Sequence, residues 1–215
     1  MIIMYDIAFM AMYWIVSCMI CLAGGISLMS PYLWIEMFRG TKSLLLQLPM
    51  SNLAIAAFAP TWAEYQHPIA AIVYVIMFDL TALCMHRIFH MFPSVYRSVH
   101  QRHHETRYVS PFSATVLDFK EHIFVGIVPT LLPLYFAPMS ELGWAVMNAL
   151  IFLHGLFIHS NVHSPLEMLG CIGTVEHATH HIRPDTNFGF MIPWDSMVHP
   201  ITEESLFHRI RMHYV

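Results

Sequence analysis

The chain has 215 residues, of which 57% are hydrophobic and 11% charged, with a formal net charge of -4. Soluble domains average about 25% charged residues, so this composition excludes an ordinary soluble protein and places the chain in a membrane. The basic residues are interleaved with histidines and form no continuous patch, which argues against a nucleic-acid partner. Of the four cysteines, Cys18, Cys21 and Cys84 lie inside apolar runs and only Cys171 does not, a placement that argues against a disulfide framework.

In chain order, residues 7–29 form an apolar run of spanning length. No basic segment precedes it and it exceeds a usual signal-peptide core, so it reads as a retained anchor. Residues 44–59 are a weaker candidate, short and interrupted by Gln47, Pro49 and Asn52, which fits a span, a re-entrant segment or an interfacial helix. Residues 68–85, 122–139 and 142–158 are further candidates near the roughly 20 residues a bilayer needs. The ten basic residues are Arg39, Lys42, Arg87, Arg97, Arg102, Arg107, Lys120, Arg183, Arg209 and Arg211. If 44–59 crosses, all ten fall on one face, the cytoplasmic one by the positive-inside rule, and five crossings result. The expected fold is all-α. It is an integral membrane helical bundle with an N-terminal span (7–29), two transmembrane hairpins that carry their histidine clusters (44–104 and 122–181), and a cytosolic helical cap (182–215). The whole forms one domain over residues 1–215.

Ten of the sixteen histidines repeat one spacing twice. His86 and His90 are followed by His100, His103 and His104; His159 and His163 are followed by His177, His180 and His181. At this histidine content an HxxHH triplet arises by chance about 0.1 times and an HxxxH pair about once, so the two triplets carry the signal. On a helix, residues three and four apart share a face, so each cluster aims its imidazoles at one point. Ten imidazoles exceed what one metal takes, and two metals are implied.

Imidazole suits iron, zinc, copper and nickel alike. No HExxH arrangement of a hydrolytic zinc enzyme is present, and a histidine-bound metal pair beside lipid suits dioxygen activation, so two iron ions are the favoured cofactors. The seventeen methionines form no series along one span, against a copper transporter, and the histidines lie at span ends rather than at the midplane, against metal transport in general. Asp79, two helical turns before His86 in an apolar span, is read as an acceptor that orients a ligand histidine, with a helix-packing hydrogen bond as the alternative. His154 lies at membrane depth and lines the cavity, pairs with Glu121 or His122, or is simply a buried, hydrogen-bonded histidine. His67, His199, His208 and His213 belong to no cluster.

The order HxxxH, HxxHH, HxxxH, HxxHH carries further words with it: Asp79 before HRIFH, HQRHHET, FIHSNVH, and THH followed by Asn187-Phe188-Gly189 and Trp194-Asp195. Together they resemble the fatty acid hydroxylase and sterol desaturase superfamily. The resemblance implies a membrane-embedded four-helix core with a cytosolic cap and a dimetal centre held by His86, His90, His100, His103, His104, His159, His163, His177, His180 and His181. It also implies oxidation of a membrane lipid C–H bond, by hydroxylation or desaturation, with dioxygen and an external donor such as a b-type cytochrome or a ferredoxin with its reductase. Zinc is compatible with the site as purified. The location implied is the endoplasmic reticulum in a eukaryote or the inner membrane in a bacterium. Asn187, Trp194 and Asp195 become pocket or ligand-orienting candidates through the shared words. One departure is the run Ser196-Met197-Val198-His199-Pro200 after Asp195, where members often have a Phe-Gly-Thr-like end. Alternatives are a carotenoid-ring hydroxylase and a non-catalytic membrane subunit that keeps the fold and metal site.

Overall fold

The structure, a computed structural model, describes residues 2–65, 67–106 and 110–195, with side chains from residue 6 onward. The described residues are helical and contain no strand. Five helices organise them: α1 (Ile2–Ala23), α2 (Pro31–Phe58), α3 (Pro68–Met91), α4 (Glu141–Ile158) and α5 (Thr174–Ile182). Starts follow local chemistry. Proline occupies the first turn of α2 and α3, where its missing N–H costs nothing, and Ser140 caps α4 by accepting from Gly143 N at 3.0 Å.

Three helices are long and apolar enough to cross a bilayer: Asp6–Ala23, Pro68–Met91 and Glu141–Ile158. Ile15, Met19 and Leu22 on α1, Ile69 and Ile72 on α3 and Leu142 on α4 stay exposed. Such a coat of large apolar side chains is what lipid solvates and water does not, and this is a membrane protein.

The two other expected legs take a different form. Residues 44–59 belong to a 28-residue helix that begins at Pro31. Its polar positions are answered by neighbours, as Gln47 donates to Thr115 O at 3.0 Å, Ser51 Oγ meets His122 Nε2 at 2.8 Å, and Asn52 reaches both carboxylate oxygens of Asp6. Residues 119–135 are a broken helix: Phe119–Glu121, a π-helical stretch His122–Ile127, Val128–Leu131 and a 3-10 stretch Leu132–Tyr135. Pro129 and Pro133 remove donors from that leg and prevent one continuous ladder.

The connections after α2 and before α4 meet at one end of the bundle. Ala63 N donates to Met139 O at 2.9 Å, Trp62 packs on Trp144, and Tyr135 Oη donates to Phe58 O. The histidine clusters lie at the opposite end, in the last turns of α3 and in the segments that follow α3 and α4. A 3-10 turn, Pro111–Thr115, wedges between α1 and α2, where Tyr13 Oη pairs with Thr115 Oγ1 at 2.9 Å. Gly40 makes this approach possible, since a Cβ there would stand 2.4 Å from Phe112 O. Two buried apolar clusters hold the bundle, one around Tyr13, Leu33, Leu44 and Phe112, the other around Tyr74, Phe78, Ile151 and Met191. All four cysteines are free.

Candidate metal centre

His86 and His90 occupy the last two turns of α3, one turn apart. The chain then turns at Pro93, passes through a π-helical stretch, Tyr96–His100, and continues as the short helix Gln101–His104. In the second half His159 caps the end of α4, and α5 carries His177, His180 and His181.

Nine of the ten predicted histidines converge into two groups, within each of which the ligand atoms lie within 4.8 Å of one another. The first group is His86, His90, His100, His104 and His180; the second is His103, His159, His177 and His181. Each HxxHH triplet is therefore split. Its first and last members, a full turn apart, stay with their own half, while the middle one crosses to the other group. The groups adjoin, with the His104 and His181 rings 4.7 Å apart.

The nitrogen spacing fits metal coordination. His100 Nε2 faces His86 Nε2 at 3.0 Å and His104 Nε2 at 2.9 Å; His159 Nε2 faces His103 Nε2 at 3.4 Å and His177 Nε2 at 2.9 Å; His181 Nε2 faces His177 Nε2 at 3.2 Å. Two nitrogens bound to one metal at about 2.1 Å stand about 3.0 Å apart at a right angle and about 3.4 Å apart at the tetrahedral angle. The five facing pairs match the edges of such polyhedra. His90 Nε2 and His180 Nε2 are buried with no hydrogen-bond partner, lone pairs that a metal would satisfy.

Four rings are fixed from behind. A carbonyl or carboxylate oxygen can only accept, so the facing Nδ1 must carry the proton and Nε2 the lone pair. His86 Nδ1 donates to Phe188 O at 2.9 Å, His100 Nδ1 to Glu121 Oε1 at 2.5 Å, His159 Nδ1 to Gly155 O at 2.8 Å and His180 Nδ1 to Thr186 O at 2.6 Å. Burial and the mutual repulsion of neighbouring rings hold His100, His103, His177, His180 and His181 well below the usual histidine range, and burial first pushes His104 and His159 down to about 4. At neutral pH these imidazoles are uncharged and able to ligate.

His163 stands apart from both groups. Its side chain is 78% exposed, and its Nδ1 pairs with Glu167 Oε2 at 2.6 Å. The helix that would carry it one turn above His159 has already ended, since Ser160 N turns back to Phe157 O and Pro165 forces the backbone out of the helical region.

Asp79 meets backbone and indole donors rather than a histidine. Fully buried, it accepts from Phe190 N (3.1 Å), Met191 N (2.6 Å), Ile192 N (2.9 Å) and Trp194 Nε1 (2.7 Å). It anchors the segment whose Phe188 carbonyl orients His86. Asp195 works on the same segment, its Oδ2 accepting from Phe188 N at 2.7 Å. Asn187, at φ 57, donates to Glu176 O at 3.1 Å and so pins to α5 the turn that offers Thr186 O to His180. His154 is buried, pairs through Nδ1 with Ser164 Oγ at 2.8 Å and lies against Phe190; its partner is neither Glu121 nor His122.

Glu121 is a candidate site residue the spacing did not reveal. It follows Asp118 and Lys120 and stands one position before His122, at the edge of the apolar run that starts at Ile123, and nothing in that local pattern separates it from its charged neighbours. A cavity of about 500 Å³ opens beside His90, walled by Arg87, Tyr96, Asp185 and Phe188. His199, His208 and His213, and the unusual run after Asp195, lie outside the described residues.

Fold and site together define a helical membrane protein with a paired, histidine-lined candidate metal centre. The fatty acid hydroxylase family model matches residues 71–199, more than half of the chain, and the chain belongs to that family. The match spans both histidine groups. No solved structure matches the chain.

Proposed function

We propose that the protein is a membrane-bound, non-haem di-iron oxygenase that hydroxylates or desaturates a lipid chain, using dioxygen and electrons from a b-type cytochrome or ferredoxin. The observation that carries this reading is the pair of adjoining, nitrogen-only groups at one end of an apolar helical bundle. Family membership supports the lipid and oxygenase parts. An iron pair supplies the redox chemistry that breaks an unactivated C–H bond.

The chain's own contribution is positional. His86, His90, His100, His104 and His180 would hold one metal, and His103, His159, His177 and His181 the other. Glu121, Phe188 O, Thr186 O and Gly155 O keep four of these rings in the tautomer that presents Nε2. Burial of the rings keeps water from the ligand nitrogens and keeps the imidazoles uncharged. The span ends bring a lipid chain to the depth of the site, with the histidine end on the cytoplasmic side. Whether hydroxylation or desaturation results depends on where the substrate carbon sits, a matter of sub-ångström placement.

The test is to purify the protein in detergent, load it with Fe(II) without oxygen, count metals, and follow lipid extracts by mass spectrometry under isotope-labelled dioxygen and a reductant. Two irons per chain and a product that carries label or lacks a hydrogen pair are expected. Fewer than one metal per chain with all histidines intact would overturn the dimetal reading. Two metals without any product would favour a non-catalytic subunit.

A further inference from the structure

The two halves of the histidine pattern correspond one to one, His86, His90, His100, His103 and His104 against His159, His163, His177, His180 and His181. Applied to the first group, this correspondence returns His159, His163, His177, His181 and His103. Among the described residues the second group contains all of these except His163. We propose that the two metal positions are unequal, the first held by five imidazoles and the second by four, so that the second keeps one more coordination position for an exogenous ligand of dioxygen's size. The inference rests on the dimetal reading above.

The asymmetry has a built cause. His90 rides on an unbroken helix one turn above His86, whereas α4 ends just before His159 and the chain leaves on another course. Glu167 then holds His163 away. Its Oε1 accepts from Ser164 N at 2.8 Å and Thr174 N at 3.1 Å, which fixes the carboxylate, and its Oε2 takes the His163 Nδ1 proton at 2.6 Å. A ring held this way, 78% exposed, belongs to a clasp between the end of α4 and the start of α5 rather than to the metal shell. Metals that bind reactants keep an open position, and metals that only hold structure fill theirs. By that criterion the second position is the reactive one.

Cobalt(II) reports the difference without turnover, because its visible bands change with coordination number. Wild type, His163→Ala and His159→Ala are loaded with Co(II), the metal is counted, and each is titrated with azide. The inference expects two metals per chain and unchanged visible bands in His163→Ala, one metal fewer in His159→Ala, and azide changing the bands of one of the two metals in wild type and His163→Ala alike. Loss of a metal or a band shift in His163→Ala would show that His163 is a ligand and overturn the proposal, as would two bound metals that azide leaves unchanged. His163→Gln supplies the same reading if the alanine variant does not assemble. Fewer than one metal per chain in wild type would instead sink the dimetal reading, so the two failures are told apart.

Discussion

His100 and Glu121 meet through Nδ1 and Oε1 at 2.5 Å, both buried, and each stands at the edge of a π-helical stretch: His100 ends Tyr96–His100 and Glu121 precedes His122–Ile127. Widened turns of this kind recur at functional sites because they re-aim side chains against a regular helix. Here they bring a carboxylate behind a ligand ring. Replacing Glu121 with Ala is expected to weaken metal binding about 10- to 100-fold, the usual effect of losing a carboxylate behind a ligand histidine. Glu121→Gln, which can still accept from Nδ1, is expected to lose less. Chelator competition on the purified protein reads both, and wild-type affinity in the alanine variant would remove Glu121 from the site.

Asp79 is expected to matter for assembly rather than for chemistry. Its carboxylate answers three backbone N–H groups and the Trp194 indole, and Asp79→Ala would leave those donors buried and unpaired. A loss of about 3 kcal/mol follows from hydrogen bonds to a charged group, seen as a lower thermal midpoint in detergent. Asp79→Asn is expected to fall as well, since its amide would turn N–H groups towards N–H groups. A midpoint equal to wild type would contradict the anchoring role.

The crossing of His103 and His180 makes double variants informative. His103→Ala with His159→Ala damages only the second group, although the residues lie in different halves of the sequence, and one metal per chain should remain. His100→Ala with His103→Ala damages both groups, although both residues belong to one triplet, and neither metal should bind tightly. Equal metal content in the two double variants would refute the split of the triplets.

Acid should destabilise the metal-free protein. His104 and His159 sit at about 4 when folded, against an ordinary value of 6.5, and burial with the repulsion of neighbouring rings holds His100, His103, His177, His180 and His181 well below that ordinary value too. Between those values the unfolded chain takes up protons that the folded chain refuses. Stability is therefore full above about pH 6.5 and falls as pH drops towards 4, by at most about 1.4 kcal/mol per pH unit for each such ring. Thermal midpoints of chelator-treated protein between pH 7.5 and 5 check the sign; a midpoint that rises on acidification would reverse it.

What was legible in the sequence was local. The HxxHH triplets could be read as candidate ligands from their helical spacing, but the expectation that each aims its rings at one point failed, because the middle ring of each turns to the other group. The place of His163 could not be read, because HxxxH predicts a shared face only while the helix continues, and α4 stops at Ile158. The groups that Asp79 meets could not be read, since the first of them lies 111 residues onward and no spacing rule reaches it. Gln47 and Asn52 made the second leg look weak. Their partners, Thr115 O and Asp6, come from distant segments that only the folded bundle brings near. Glu121 had no motif to announce it.

The exchange of His103 and His180 between groups also sets an order of events during synthesis. The first group is incomplete until residue 180 has left the ribosome, and the second until residue 181, so neither site closes while α5 is still being made. Under the dimetal proposal, metal loading would be a late step, one that follows insertion of the spans and would tie the first-made half of the protein to a later-made one.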